Sequence, residues 1–129
     1  MSEWVSIVSM EGFSDGEMRA VDGPDRKLLV ARVGDEFFVT QEHCPHLGGN
    51  LAKGTLDGTV VTCPLHHSMF DLTDGRCVRW TDWKGAVLDV AQAVRHPRPL
   101  VTFEAKAEDG QVWLGPARPA TPVVEPAAE

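Results

Sequence analysis

Two cysteine–histidine pairs constrain this chain more than any other feature. The first stands in Cys44-Pro45-His46 and the second in Cys63-Pro64-Leu65-His66, with 16 residues, Leu47 to Thr62, between them. Thiolates and imidazoles are the usual ligands of zinc and iron centres. A proline follows each cysteine, and Gly48 and Gly49 follow the first pair. Glycine permits tight turns and close backbone approach. The pattern predicts two loops delivered to one metal centre, with the rest of the chain as their scaffold. A tetrahedral zinc on Cys44, His46, Cys63 and His66 is one way to use the four. Zinc sites, however, usually pair their first two ligands as two cysteines two to four residues apart, not as Cys-x-His.

The flanking residues go beyond ligand spacing. Cys-x-His followed by Cys-x-x-His, with Pro45, Leu47-Gly48-Gly49, Pro64-Leu65 and Phe70-Asp71 around it, resembles the motif of Rieske-type [2Fe–2S] proteins. The resemblance runs from about Trp4 to Leu114. It is specific for cluster and fold, and much less so for pathway. It implies an all-β Rieske fold: a base of antiparallel sheets or a β-sandwich, with a two-loop cluster-binding subdomain at about 42–80. It also implies that Cys44 and Cys63 bind the buried iron and His46 and His66 the outer one. Two imidazoles then replace two thiolates of an ordinary ferredoxin site. Two ferric ions, two sulfides and two thiolates sum to zero charge. A neutral cluster accepts an electron more readily than a dianionic one, so Rieske potentials run from roughly −150 to +300 mV, against about −400 mV for plant-type clusters. Each imidazole keeps one nitrogen free, and ferric iron lowers its pKa. The reduction potential is therefore expected to fall as pH rises.

The resemblance also marks residues around the cluster: Gly48, Leu65, Ser68 and Pro99. Backbone N–H groups in the glycine-bearing loop 1 must point at cluster sulfurs. Ser68 matches a serine that donates to the cluster in high-potential members, while Phe70 stands where those members carry a tyrosine. One hydroxyl donor is kept and one lost, so a low or middling potential is expected. Ser68 could equally be a loop serine bonded to its own backbone. The Pro97–Pro99 segment is the candidate for the proline loop covering one side of the cluster. His43 and His67 read as surface histidines beside the ligands. Many members carry glycine where this chain has His67, and a positive φ there would strain a histidine.

Gly49 and Leu65 occupy the positions of the disulfide found in subunits of bc-type complexes. Only three cysteines are present, an odd and sparse set that argues against a disulfide scaffold. Cys77 is left as a partly buried apolar residue. The resemblance is thus to the ferredoxin-type branch, suited to a reducing cytoplasm. No basic segment leads into an apolar run at the start, and no stretch approaches the ~20 apolar residues of a membrane helix. No membrane anchor is expected.

The net charge of −7 over 129 residues argues against nucleic acid as partner. It suits docking on a basic protein face, and equally it serves solubility.

Along the chain, strands are predicted at Glu3 to Ser9, Glu17 to Val21, Lys27 to Val33 and Glu36 to Thr40. Gly34-Asp35 makes a hairpin turn between the last two. Further strands are predicted at Thr59 to Thr62, Met69 to Leu72, Arg76 to Trp80, Leu100 to Ala105 and Gln111 to Leu114. Lys84 to Arg95 has nearer-helical spacing, so a short helix is expected at 84–95. The domain is expected to span residues 1–114, followed by a proline- and alanine-rich disordered tail at 115–129.

The resemblance implies a one-electron carrier that passes electrons from a flavin-dependent reductase to a terminal oxygenase or other redox partner, and not an enzyme. A small Rieske subunit of a nitrite-reductase-type complex is the alternative. A zinc-held interaction module is a third reading.

Overall fold

The computed structural model describes residues 4–24, 26–44, 49–64, 67–79 and 99–118. Among the described residues ten strands form, in chain order: β1 (Val5–Ser9), β2 (Met18–Asp22), β3 (Lys27–Val33), β4 (Glu36–Gln41), β5 (Thr55–Asp57), β6 (Val60–Thr62), β7 (Met69–Asp71), β8 (Cys77–Arg79), β9 (Thr102–Glu108) and β10 (Gln111–Ala117). One 3₁₀ turn, Leu51–Lys53, lies between β4 and β5. Six strands make the base sheet in the order β1-β10-β9-β4-β3-β2, and four make a smaller sheet in the order β5-β6-β7-β8. Every strand pair is antiparallel. The expected all-β fold with a two-loop subdomain is the one observed.

The two sheets meet on β3. Successive side chains of a strand point to opposite faces. Leu28 and Val30 pack with Phe37, Val39 and Val112 on one face of the base sheet. Leu29 and Ala31 pack on the other, against Val61, Phe70 and Leu72 of the small sheet. Both faces of β3 are covered, which is why its sequence is apolar without alternation.

Local turn chemistry sets the hairpins. Gly34 holds φ 62 between β3 and β4, and Asp109-Gly110 holds φ 54 and 74 between β9 and β10. Positive φ at both central residues, as at Asp109-Gly110, is the type I′ turn, and positive φ at the first alone, as at Gly34, is the type II′ turn; both fit the twist of a two-residue hairpin.

Four features differ from the sequence expectation, the first being strand β9, which covers Thr102–Glu108 where Leu100 to Ala105 was expected. The 3₁₀ turn Leu51–Lys53 and strand β5 were not anticipated; Leu51 is fully buried and anchors them. Strand β10 runs to Ala117, three residues past Leu114. A register shift between Leu114 and Ala117 takes up Gly115 and Pro116, so the proline sits in a bulge and the ladder continues. The expected helix at 84–95 and most of the tail lie outside the described residues. Among the described residues, no helix is long and apolar enough to cross a membrane.

Candidate metal centre

The two cysteine loops are closed in the same way. The backbone N–H of Cys44 donates to the carbonyl of Gly49 at 2.8 Å, and that of Cys63 donates to the carbonyl of Ser68 at 2.7 Å. Each bond spans five residues and starts at a cysteine followed by proline, which has no N–H to compete. Loop 1 leaves β4 through Glu42 and His43, and an isolated bridge between His43 and Asn50 ties its two ends. Loop 2 is carried between β6 and β7, which pair directly.

Both cysteines turn inward. Cys44 is 2% and Cys63 1% exposed, and both belong to the apolar cluster with Leu51, Phe70, Leu72 and Leu100. None of the three cysteines forms a disulfide. Cys77 joins the same cluster. Burial pushes its thiol up to about 12, with the neighbouring Cys44 adding to the effect.

Ser68 is fully buried and its carbonyl closes loop 2. His67 takes φ 58, the left-handed region in which a histidine is strained, and its side chain is exposed. His43 is also exposed and stands 3.6 Å from the buried Glu42 carboxylate. Phe70 is fully buried, opposite Val61 and Cys77. Pro99 is half-buried and precedes Leu100, which is 1% exposed in the cysteine cluster. His46, His66, Gly48 and Leu65 lie outside the described residues, as does Pro97. Among the described residues no three His, Cys, Asp or Glu side chains gather as a metal set.

Sequence reasoning missed the struts around these loops. Gln41 is the main one. Its Nε2 donates to the His43 carbonyl at 2.6 Å, and its Oε1 accepts from the Val101 N–H at 2.8 Å. One side chain thus ties the root of loop 1 to the segment after Pro99. Asn50 caps the 3₁₀ turn, accepting from Ala52 N–H at 2.9 Å. The Ser/Thr/Asn/Asp preference at such caps was the available signal for Asn50. Nothing local marked Gln41.

Comparison with known proteins identifies the family. The model of the Rieske [2Fe-2S] domain matches residues 3–94. The ferredoxin component of biphenyl 2,3-dioxygenase from Rhodococcus jostii is 36% identical over 84% of this chain and 88% of its own. Ferredoxin CarAc of Metapseudomonas resinovorans is 29% identical over 86% of this chain and 92% of its own. Among solved structures, the complex of reduced oxygenase and oxidized ferredoxin in carbazole 1,9a-dioxygenase contains a chain that is 28% identical, with a TM-score of 0.69 over 89% of this chain and 94% of that one. The chain belongs to the Rieske [2Fe-2S] domain family, and its cofactor is a Rieske-type [2Fe–2S] cluster.

Proposed function

We propose that this protein is a one-electron carrier and that Cys44, His46, Cys63 and His66 hold its cluster. The observation that carries the reading is the matched pair of cysteine loops. Each supplies one buried cysteine to one apolar cluster, as two loops that share a metal centre require. These thiols fit the sulfur half of the ligand set. His46 and His66, in the same loops, complete it.

The cluster, when bound, supplies a one-electron couple. The chain's own residues do the rest. Leu51, Phe70, Leu72 and Leu100 exclude water from the thiol side, which lowers the local dielectric and tunes the potential. Gly48, Leu65, Ser68 and Pro99 are the proposed surroundings of the cluster. The Cys44 and Cys63 N–H bonds fix loop shape before an electron arrives, so little reorganisation is needed.

The biphenyl dioxygenase relative is named as a ferredoxin component, and the carbazole dioxygenase neighbour is a ferredoxin in complex with an oxygenase. By extension, this chain receives electrons from a flavin-dependent reductase and passes them to a terminal oxygenase or similar redox enzyme. Three cysteines without a disulfide among them support a reducing, cytoplasmic setting.

The experiment is a visible and EPR spectrum of the purified protein before and after dithionite. A red-brown protein with a rhombic signal in the reduced state is expected. A colourless protein holding stoichiometric zinc, made in cells able to build clusters, would overturn the carrier reading. Potentiometry adds the pH arm: a potential flat from about pH 6 to about pH 11 contradicts two imidazole ligands. Co-purification with a large partner would favour an integral oxidoreductase subunit over a mobile carrier.

A further inference from the structure

Gly54 follows the 3₁₀ turn at the exit of loop 1, and its N–H donates to the Leu51 carbonyl at 3.0 Å. Its φ is −85, a value open to any L-residue. Conformational freedom therefore does not explain a glycine here. Space does. A β-carbon at residue 54 would lie 1.9 Å from the Thr62 carbonyl oxygen, 3.1 Å from the carbonyl carbon and 3.3 Å from the Leu51 oxygen. Non-bonded heavy atoms sit at roughly 3.5–4.0 Å. All three neighbours are backbone atoms, so no side chain can rotate away.

The Thr62 carbonyl and the Cys63 N–H belong to one planar peptide. That N–H closes loop 2 onto Ser68. The peptide is thus held on its carbonyl side by the exit of loop 1 and on its N–H side by the end of loop 2. Leu51 anchors the first contact, since it is fully buried in the cluster that holds Cys44 and Cys63.

We propose that Gly54 is a positioning residue for the metal centre: its missing side chain lets the exit of loop 1 seat the Thr62–Cys63 peptide, and so sets how loop 2 presents Cys63. The inference rests on the reading of Cys63 as a ligand. Any side chain at 54 must push that peptide, and the displacement passes directly to Cys63.

The test compares the holoprotein with Gly54→Ala, Gly58→Ala and Cys63→Ser. Gly58 holds φ 59 in the β5–β6 turn, with open space where its β-carbon would go. Gly58→Ala therefore strains the small sheet without pushing Thr62. Far-UV circular dichroism, thermal unfolding, reduction potential, EPR g values and the rate of cluster loss in mild denaturant are read for each. Gly54→Ala is expected to keep its sheet signal while its potential and g values shift, and to lose cluster on the order of 10-fold faster. A folded Gly54→Ala protein without cluster also supports the proposal. Gly58→Ala is expected to unfold earlier with the wild-type potential and g values. Wild-type potential, g values and cluster lifetime in Gly54→Ala would overturn the proposal, whatever its melting temperature. So would loss of its sheet signal together with the cluster, which would assign Gly54 to the fold alone. Cys63→Ser separates the underlying reading: a wild-type cluster in that variant would mean that Cys63 is not a ligand.

Discussion

Gly75 and Leu100 are locked backbone to backbone. The Leu100 N–H donates to the Gly75 carbonyl at 2.8 Å, and a β-carbon at 75 would stand 2.1 Å from the Leu100 carbonyl oxygen. The contact joins the β7–β8 turn of the small sheet to the segment leading into β9 of the base sheet. Arg118, just after β10, reinforces it by donating to the Thr73 carbonyl. Leu100 in turn packs on the cysteine cluster, so this latch sets both the sheet-to-sheet docking and the wall beside the thiols. Gly75 also holds φ 78. Gly75→Ala combines left-handed strain with a backbone clash and is expected to cost about 2–4 kcal/mol. Urea unfolding of the holoprotein measures it. A loss below about 1 kcal/mol would mean that the turn swings away from Leu100 at little cost.

His67 offers a change of the opposite sign. Its φ of 58 costs an L-residue roughly 1–2 kcal/mol. Glycine removes that strain but loses more entropy on folding. The net expectation for His67→Gly is a gain of about 0.5–1 kcal/mol. A rise in thermal midpoint with the cluster intact would confirm it. A fall would show that contacts of the imidazole outweigh the strain.

These two positions show what was legible in advance. His67 stood out because glycine is common there in similar proteins, and φ bears out the concern. The hairpin at Gly34-Asp35 could be read because its turn chemistry is local. Strand β3 carries its own apolar signature. The 3₁₀ turn and β5 span three residues each and have no motif beside them, whereas β6 and β7, equally short, were placed by the cysteine–histidine pair between them. Strand β10 was cut short because Gly115-Pro116 reads as a breaker, while a bulge absorbs it. Cys44 and Cys63 could be singled out by spacing and flanking residues. The packing of Gly54 on Thr62, of Gly75 on Leu100, and the reach of Gln41 to Val101 could not. Those contacts join segments far apart in sequence, and a glycine kept for space looks like any other.

Cys77 separates packing from ligation. It shares the apolar cluster with Cys44 and Cys63 and is 6% exposed. As a packing residue it is replaceable at a modest cost. Cys77→Ala is expected to lose about 1 kcal/mol through the small cavity left. Cys77→Ser should lose more, about 1–3 kcal/mol, because a hydroxyl replaces the thiol in apolar surroundings. Both are expected to keep a full complement of iron and the wild-type EPR spectrum. Cys44→Ser and Cys63→Ser are expected to lose the native spectrum. Iron analysis and EPR on the four proteins check the contrast. A changed spectrum in Cys77→Ala would bring Cys77 into the centre itself.

Asp71 makes the small sheet sensitive to acid. Its side chain is 16% exposed, and this burial alone would raise its pKa. The Thr73 N–H at 3.0 Å and hydroxyl at 2.7 Å outweigh it, joined by the Thr59 hydroxyl and the Arg76 charge, and hold the carboxyl below the ordinary aspartate value. A carboxylate with a depressed folded-state pKa binds fewer protons folded than unfolded in the interval between the two values. Its stabilisation is complete above the unfolded value of about 4 and is lost as pH falls through the lower folded one. Asp71→Asn keeps an acceptor for Thr73 but loses the charge. The Arg76 side chain is 54% exposed, so solvent screens that pair and the two threonines carry most of the effect. The variant is expected to be about 1–2 kcal/mol less stable than wild type near pH 7. That difference should shrink as pH falls below the unfolded value of about 4 and through the lower folded one. Urea titrations of both proteins across that range measure it. A difference that stays constant with pH would mean that the Asp71 charge does not stabilise the turn and that only its shape does.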